Sequence, residues 1–160
     1  MNTLVLYTTK NGFTKTIAER IAVELGGAIV VNLKVSAVPR LDEIGRIIVG
    51  SPVYGGVIDR EIVKFTDAYS GELKARKLGL FLCGLDYIQA EVFFQGNFPA
   101  DLLIAAKAKA MLGGSLDINK LGMTDKIKYR LLGKGPSLAP ENKEGYVMED
   151  RLKAFIQKMK

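Results

Sequence analysis

Apolar runs of four to eight residues alternate along this chain with longer segments whose apolar positions recur every three or four residues. The runs predict strands at about residues 2–7, 28–33, 45–51, 77–84 and 109–116, and the periodic segments predict helices at about 14–25, 59–69, 98–107 and 146–158. The first helix carries Ile17, Ile21 and Leu25 on one stripe with Ala18 and Ala22 beside it, and Gly26-Gly27 follows as a stop signal. The last places Val147, Leu152, Phe155 and Ile156 on an apolar face, with basic residues near its C-terminus where they favour the dipole. Most of the strands are apolar enough to be covered on both faces, which is the mark of a parallel sheet. Right-handed crossovers then wind helices onto both sides, so the expected architecture is a doubly wound five-stranded α/β sheet in a three-layer α/β/α sandwich.

Ligands of such sheets bind beyond the carboxyl ends of the strands, where the strand order reverses. The chain following strands one, three and four is also where its sequence is unusual: Thr8 to Thr14, then Ser51-Pro52-Val53-Tyr54-Gly55-Gly56, then Cys83-Gly84-Leu85-Asp86-Tyr87. At the first of these a strand feeds a helix through a hydroxyl-rich turn, which leaves backbone N–H groups unpaired at the positive end of the helix dipole. Thr9, Asn11 and Thr14 add side-chain donors and Gly12 permits close backbone approach, with Lys10 the only full charge nearby. The pattern suits a phosphomonoester held mainly by neutral hydrogen bonds. The turn contains neither G-x-x-x-x-G-K-[ST] nor G-x-G-x-x-G, so a nucleoside triphosphate is not expected. A purely structural alternative is that Thr14 or Asn11 caps the helix. The other two loops each set a tyrosine beside glycine or an acid at the same end of the sheet. Tyr54 and Tyr87 suit a flat heterocycle, with backbone groups near Gly55, Gly56 and Gly84 bonding its rim. Covering apolar loop surface is the plainer role for both rings.

With 160 residues and 48% hydrophobic content the chain suffices for one sizeable core and is too short for two ordinary domains, so a single domain over 1–160 is expected. The net charge of +6 favours acidic partners or anionic surfaces. The basic residues are spread out and come without a recognition-helix, zinc or aromatic RNA-binding signature, so no nucleic-acid partner is expected. The single cysteine, Cys83, excludes an intramolecular disulfide, fits a reducing, cytoplasmic setting, and sits in an apolar run that makes it a packing thiol. The absence of histidine removes Ser-His-Asp and Cys-His catalysis and most zinc sites. The N-terminal residues lead straight into a strand, so no secretory signal is expected, and no apolar run is long enough for a membrane span.

Thr9-Lys10-Asn11-Gly12-Phe13-Thr14 resembles the T/S-x-T/S-G-x-T signature of the flavodoxin-like FMN proteins, with Asn11 standing where a hydroxyl is usual. Gly50-Ser51-Pro52-Val53-Tyr54-Gly55 is similar to that family's first isoalloxazine loop and Cys83-Gly84-Leu85-Asp86-Tyr87 to its second. The resemblance implies strand order 2-1-3-4-5 and FMN as cofactor, held at the phosphate by Thr8 through Thr14 and at the ring by the two loops. It makes Tyr54 and Tyr87 the stacking candidates and Asp86 a polar neighbour of the ring edge. Burial of the ring implies a low-potential electron donor, since burial disfavours the anionic reduced flavin; Lys10 is expected near the phosphate and far from the ring. Within the family the chain looks closest to the flavodoxin-fold protoporphyrinogen oxidases, by its first turn and by Met123-Thr124-Asp125-Lys126-Ile127-Lys128-Tyr129-Arg130-Leu131-Leu132.

That late stretch lies in a basic segment at about 117–145, where Ile127, Leu131 and Leu132 offer an apolar edge to a membrane surface, a quinone-linked partner or the core. The stretch Ile88 to Phe98 is aromatic with Glu91 its one charge, and is read as a loop in which Phe93, Phe94 and Phe98 cover the flavin, bind an apolar partner or anchor a lid. An electron carrier serving a redox partner protein, an FMN-dependent oxidoreductase acting on a small redox substrate, and a cofactor-free module with the same fold are the three functional expectations.

Overall fold

In a computed structural model of the protein, residues 1–116 and 142–160 are described. The elements are β1 (Asn2–Tyr7), α1 (Phe13–Glu24), β2 (Ile29–Asn32), β3 (Ile44–Tyr54), β4 (Val57–Ile58), α2 (Arg60–Ala68), α3 (Ser70–Lys74), β5 (Lys77–Cys83), a single 3₁₀ turn (Tyr87–Gln89), α4 (Ala90–Asn97), α5 (Ala100–Ala105), β6 (Ala108–Met111), β7 (Gly113–Leu116), β8 (Asn142–Val147) and α6 (Glu149–Met159). The main sheet runs β2-β1-β3-β5-β6 with all neighbours parallel, which is the expected order 2-1-3-4-5 for its five parallel strands. Its α/β fold is flavodoxin-like, with helices on both faces.

Alternation along the strands sorts the core into two layers. Leu4, Leu6, Ile47, Val49, Leu78, Leu80 and Leu82 face one side, against Ile62 and Phe65 of α2, Leu73 of α3, Phe94 of α4 and Leu102 of α5. The intervening residues Val5, Tyr7, Ile48, Phe81 and Cys83 face the other, against Ile17 and Ile21 of α1 and Leu152, Phe155 and Ile156 of α6. Full burial of each such aliphatic or aromatic side chain contributes about 1.5–3 kcal/mol, so β1, β3 and β5 form the rigid platform from which the loops project.

Four expectations need correction. Ser51, Pro52, Val53 and Tyr54 are not a loop: β3 continues through Tyr54 and folds back through Gly55-Gly56 into β4, pairing Val53 with Ile58 and Tyr54 with Val57. Both turn glycines have positive φ (+59° and +77°), as a two-residue hairpin turn of this twist requires. The aromatic stretch 88–98 is not a loop or lid either. It forms the 3₁₀ turn and α4, with Phe94 and Phe98 buried and their rings stacked at 6.0 Å. The fifth strand is divided at Leu112: β6 stays in the sheet and β7 leaves it to pair antiparallel with β8. Val147, expected on the last helix, is therefore a strand residue, and α6 begins at Glu149. The Met123–Leu132 stretch and most of the basic segment lie outside the described residues.

Candidate functional site

β1 ends at Tyr7 and the chain turns through Thr8–Gly12 into α1. Gly12 occupies the cap position with φ +92°, a left-handed conformation open to glycine without strain. Of the four N–H groups that the first turn of a helix leaves without an internal partner, two are satisfied locally. The N–H of Gly12 donates to Thr9 Oγ1 at 3.0 Å and that of Phe13 to Asn11 Oδ1 at 3.2 Å. The N–H groups of Thr14 and Lys15 have no partner among the described residues.

The side chains divide the work differently from the sequence expectation. Asn11 Nδ2 reaches 2.7 Å to Ser115 Oγ, tying the turn to β7, so both ends of this amide are engaged within the protein. The Thr14 hydroxyl is buried against the Cys83 thiol, whose burial pushes its pKa up to about 12 from 9.0, with the Thr14 contact opposing the shift; Cys83 is a packing thiol. Thr8 is wholly buried; its N–H bonds to the Gly50 carbonyl at 3.2 Å, while its hydroxyl has no partner among the described residues. A buried hydroxyl without a partner costs about 1–3 kcal/mol. Thr8 therefore has the strongest unmet demand in the turn.

The second and third segments approach each other at the same end of the sheet. A Cβ added to Gly84 would lie 3.4 Å from the Val53 carbonyl oxygen, and the Gly84 N–H donates to the Gly113 carbonyl at 2.7 Å, which locks the Cys83–Tyr87 loop to β7. Tyr54 and Tyr87 are both half-buried, and each carries a cation on its ring. Lys10 Nζ stands 4.0 Å from the Tyr54 centroid and the Arg151 guanidinium carbon 5.9 Å from that of Tyr87. Lys10, expected near the phosphate, thus also stands on Tyr54, one of the two tyrosines expected to stack. One oxygen of Asp86, Oδ1, is buried without a partner among the described residues, while Leu85 is half-buried beside it.

Ser51 is buried and structural: its hydroxyl donates to the Pro52 carbonyl at 2.9 Å and accepts the Asp59 N–H at 2.9 Å. The sequence reading missed Asn97. Its Nδ2 donates to the carbonyls of Gly56 and Phe93, both at 2.8 Å, and its Oδ1 accepts the Ile58 N–H at 3.2 Å, so the end of α4 splints the Tyr54 hairpin. Nothing in local spacing marks that role, because its hairpin partners Gly56 and Ile58 lie some forty residues away.

The arrangement is a strand-to-helix turn beside a tyrosine-bearing hairpin and a tyrosine-bearing loop. A family model described as the flavodoxin domain matches residues 4–137. The chain belongs to the flavodoxin domain family. Among solved structures, it superposes on a short-chain flavodoxin associated with a PDU bacterial microcompartment with TM-score 0.59 and 16% identity, over 99% of this chain and 97% of that one. Oxidised flavodoxin 1 from Bacillus cereus gives TM-score 0.55 at 16% identity, over 99% and 97%. Two-electron reduced Megasphaera elsdenii flavodoxin gives 0.53 at 17%, over 68% and 84%. These likenesses are likenesses of fold. No curated protein sequence matches the chain.

As a flavodoxin-domain protein it combines these loops with few other sources of chemistry. Among the described residues no group of three His, Cys, Asp or Glu is placed to hold a metal ion, and no helix is long and apolar enough to cross a membrane.

Proposed function

We propose that the protein binds FMN and acts as a redox protein that carries electrons through the flavin. The buried Thr8 hydroxyl, without a partner among the described residues, together with the two N–H groups opening α1 that likewise have none there, carries the reading. Those three donors suit a phosphate group, and the helix dipole adds to them. Thr9 and Asn11 hold the turn open in that shape, and Gly12 supplies its left-handed corner. Tyr54 and Tyr87 are placed to flank a flat ring, and the unsatisfied Asp86 oxygen suits an N–H on the ring's polar edge. When bound, FMN supplies one- and two-electron chemistry that no side chain of this chain offers. The protein orients it, limits water, and sets the local field. Burial by two tyrosines disfavours added negative charge, while Lys10 and Arg151 at those rings favour it, so the low potential expected from burial alone is moderated.

The physiological counterpart is a redox partner protein or a small redox substrate. Turnover of such a substrate would make the protein an oxidoreductase of the protoporphyrinogen oxidase-like or quinone-linked kind, a reading supported by the resemblance of the first turn and of residues 123–132. A cytoplasmic setting is supported by the buried free thiol of Cys83. The test is titration of the apoprotein with FMN, followed by quenching of flavin fluorescence, then stepwise anaerobic reduction of the complex. Saturable one-to-one quenching is expected; its absence overturns the proposal. Reduction in two separate one-electron steps marks a carrier, and catalytic turnover of a small acceptor marks the oxidoreductase.

A further inference from the structure

On the β2 side of Tyr54 lies a cleft of about 720 Å³. It is bounded by Lys10 after β1, by Leu33 and Lys34 after β2, by the β3–β4 hairpin, and by the start of α2. No residue of the Cys83–Tyr87 loop lines it, and Lys10 is its one contribution from the phosphate-type turn. The sheet order explains the separation. β1 and β2 flank β3 on this side and β5, which leads into the Cys83–Tyr87 loop, flanks it on the other.

The charges of the cleft are unequally satisfied. The Asp59 carboxylate is nearly buried and doubly engaged, accepting the Glu61 N–H at 3.0 Å and lying 2.9 Å from the Lys34 ammonium. Glu61 is paired with Lys64 at 3.4 Å. Lys10 and Arg60 are left with no carboxylate among the described residues, Lys10 resting on the Tyr54 ring. The remaining walls, Leu33, Pro52, Tyr54, Val57 and Ile58, are apolar or aromatic. The volume falls in the range of small-molecule sites, and two cations without a carboxylate among the described residues at an apolar cleft suit an anion with an apolar body.

We infer that this cleft is a second ligand site, distinct from the flavin position proposed between Tyr54 and Tyr87, and that it takes a small planar anion of the aromatic carboxylate class. The carboxylate meets Arg60 and Lys10, and the ring lies along the Tyr54, Pro52 and Val57 wall. The site does not depend on the flavin reading, since every group that forms it belongs to the chain.

The test uses the apoprotein and two probes of one shape, 2-naphthoate and neutral 2-naphthamide, titrated calorimetrically. Naphthoate is expected to bind, naphthamide to bind at least about tenfold more weakly, and R60Q and K10Q each to weaken naphthoate by about tenfold, the loss of one charge-assisted contact. K107Q, which removes a charge from the opposite end of the sheet, is expected to leave the affinity unchanged. Added FMN is expected to shift the naphthoate affinity, through the shared Tyr54 and Lys10, without abolishing binding. No naphthoate binding, equal binding of the amide, or full affinity in both R60Q and K10Q overturns the inference. Mutually exclusive binding of naphthoate and FMN also overturns it, by showing that the two sites are one. Failure of FMN to bind while naphthoate binds leaves this inference standing and removes the flavin proposal alone.

Discussion

Replacing Thr8 by Val is expected to stabilise the ligand-free protein and to weaken FMN binding, two effects of opposite sign from one atom. The side chain is wholly buried and Val has nearly the same shape, so the change deletes a hydroxyl that has no partner among the described residues and adds no cavity. Relief of an unsatisfied buried hydroxyl contributes about 1–3 kcal/mol. At about 2–4 °C per kcal/mol for a chain of this size, the apoprotein melting temperature rises by about 2–12 °C. Loss of a hydrogen bond to a charged phosphate costs about 1.5–3 kcal/mol, or about ten- to more than a hundredfold in Kd. Melting of the apoproteins by circular dichroism and flavin-quenching titrations measure the two effects separately. Thr8→Ser is the control: it keeps the hydroxyl and loses a methyl group, so it is expected to melt lower and bind better than T8V. A T8V apoprotein less stable than wild type would refute the reasoning, because it would mean that the hydroxyl is already satisfied.

Phe81→Ala removes a fully buried ring that packs edge-on against Phe155 at 6.3 Å, and is expected to cost about 3–5 kcal/mol in urea unfolding of the apoprotein. Asn11→Ala and Ser115→Ala are each expected to destabilise by about 0.5–2 kcal/mol, the range for a lost cap or buried hydrogen bond, and the double variant to cost less than their sum because the two side chains share one bond of 2.7 Å. Burial holds the Cys83 thiol protonated up to about 12, whereas the unfolded chain loses the proton from about 9.0. Stability is therefore unaffected by this group below pH 9 and falls as pH rises from 9 towards 12, by at most about 1.4 kcal/mol per unit, a slope that Cys83→Ala is expected to lack in denaturant titrations at stepped pH.

The parallel platform was readable from sequence because strands buried on both faces must be apolar through their middles, as residues 4–7 of β1, 47–49 of β3 and 78–83 of β5 are. The end of β3 was hidden by Pro52, which reads as a strand breaker. Its place is tolerable because β3 has outrun β1, whose last pairing is Tyr7 with Gly50, so a missing N–H at that point removes no bond to β1. The helix α4 was hidden for the opposite reason. Its aromatic residues and Gly96 lack the polar face that marks an amphipathic helix, and Phe94 and Phe98 belong to the core. The division of the fifth strand had a local signal in Gly113-Gly114, but its cause is long-range, since β8 returns to pair with β7 from beyond residue 141.

Asn11 shows how a departure from a motif carries meaning once the fold is present. In the family signature a hydroxyl stands at this place, and on sequence alone the amide reads as one more side-chain donor to the turn. A serine or threonine side chain is one bond shorter, whereas the amide spans from the Phe13 N–H on one side to Ser115 on the other. It thereby clamps the helix start to β7, and β7 in turn holds Gly84 of the second tyrosine loop through the Gly113 carbonyl. The phosphate-type turn and that loop are thus braced by the same strand. The amide thus adds rigidity between the turn and the second tyrosine loop, the bracing that the proposed flat cofactor would call for if held at both its phosphate and its ring.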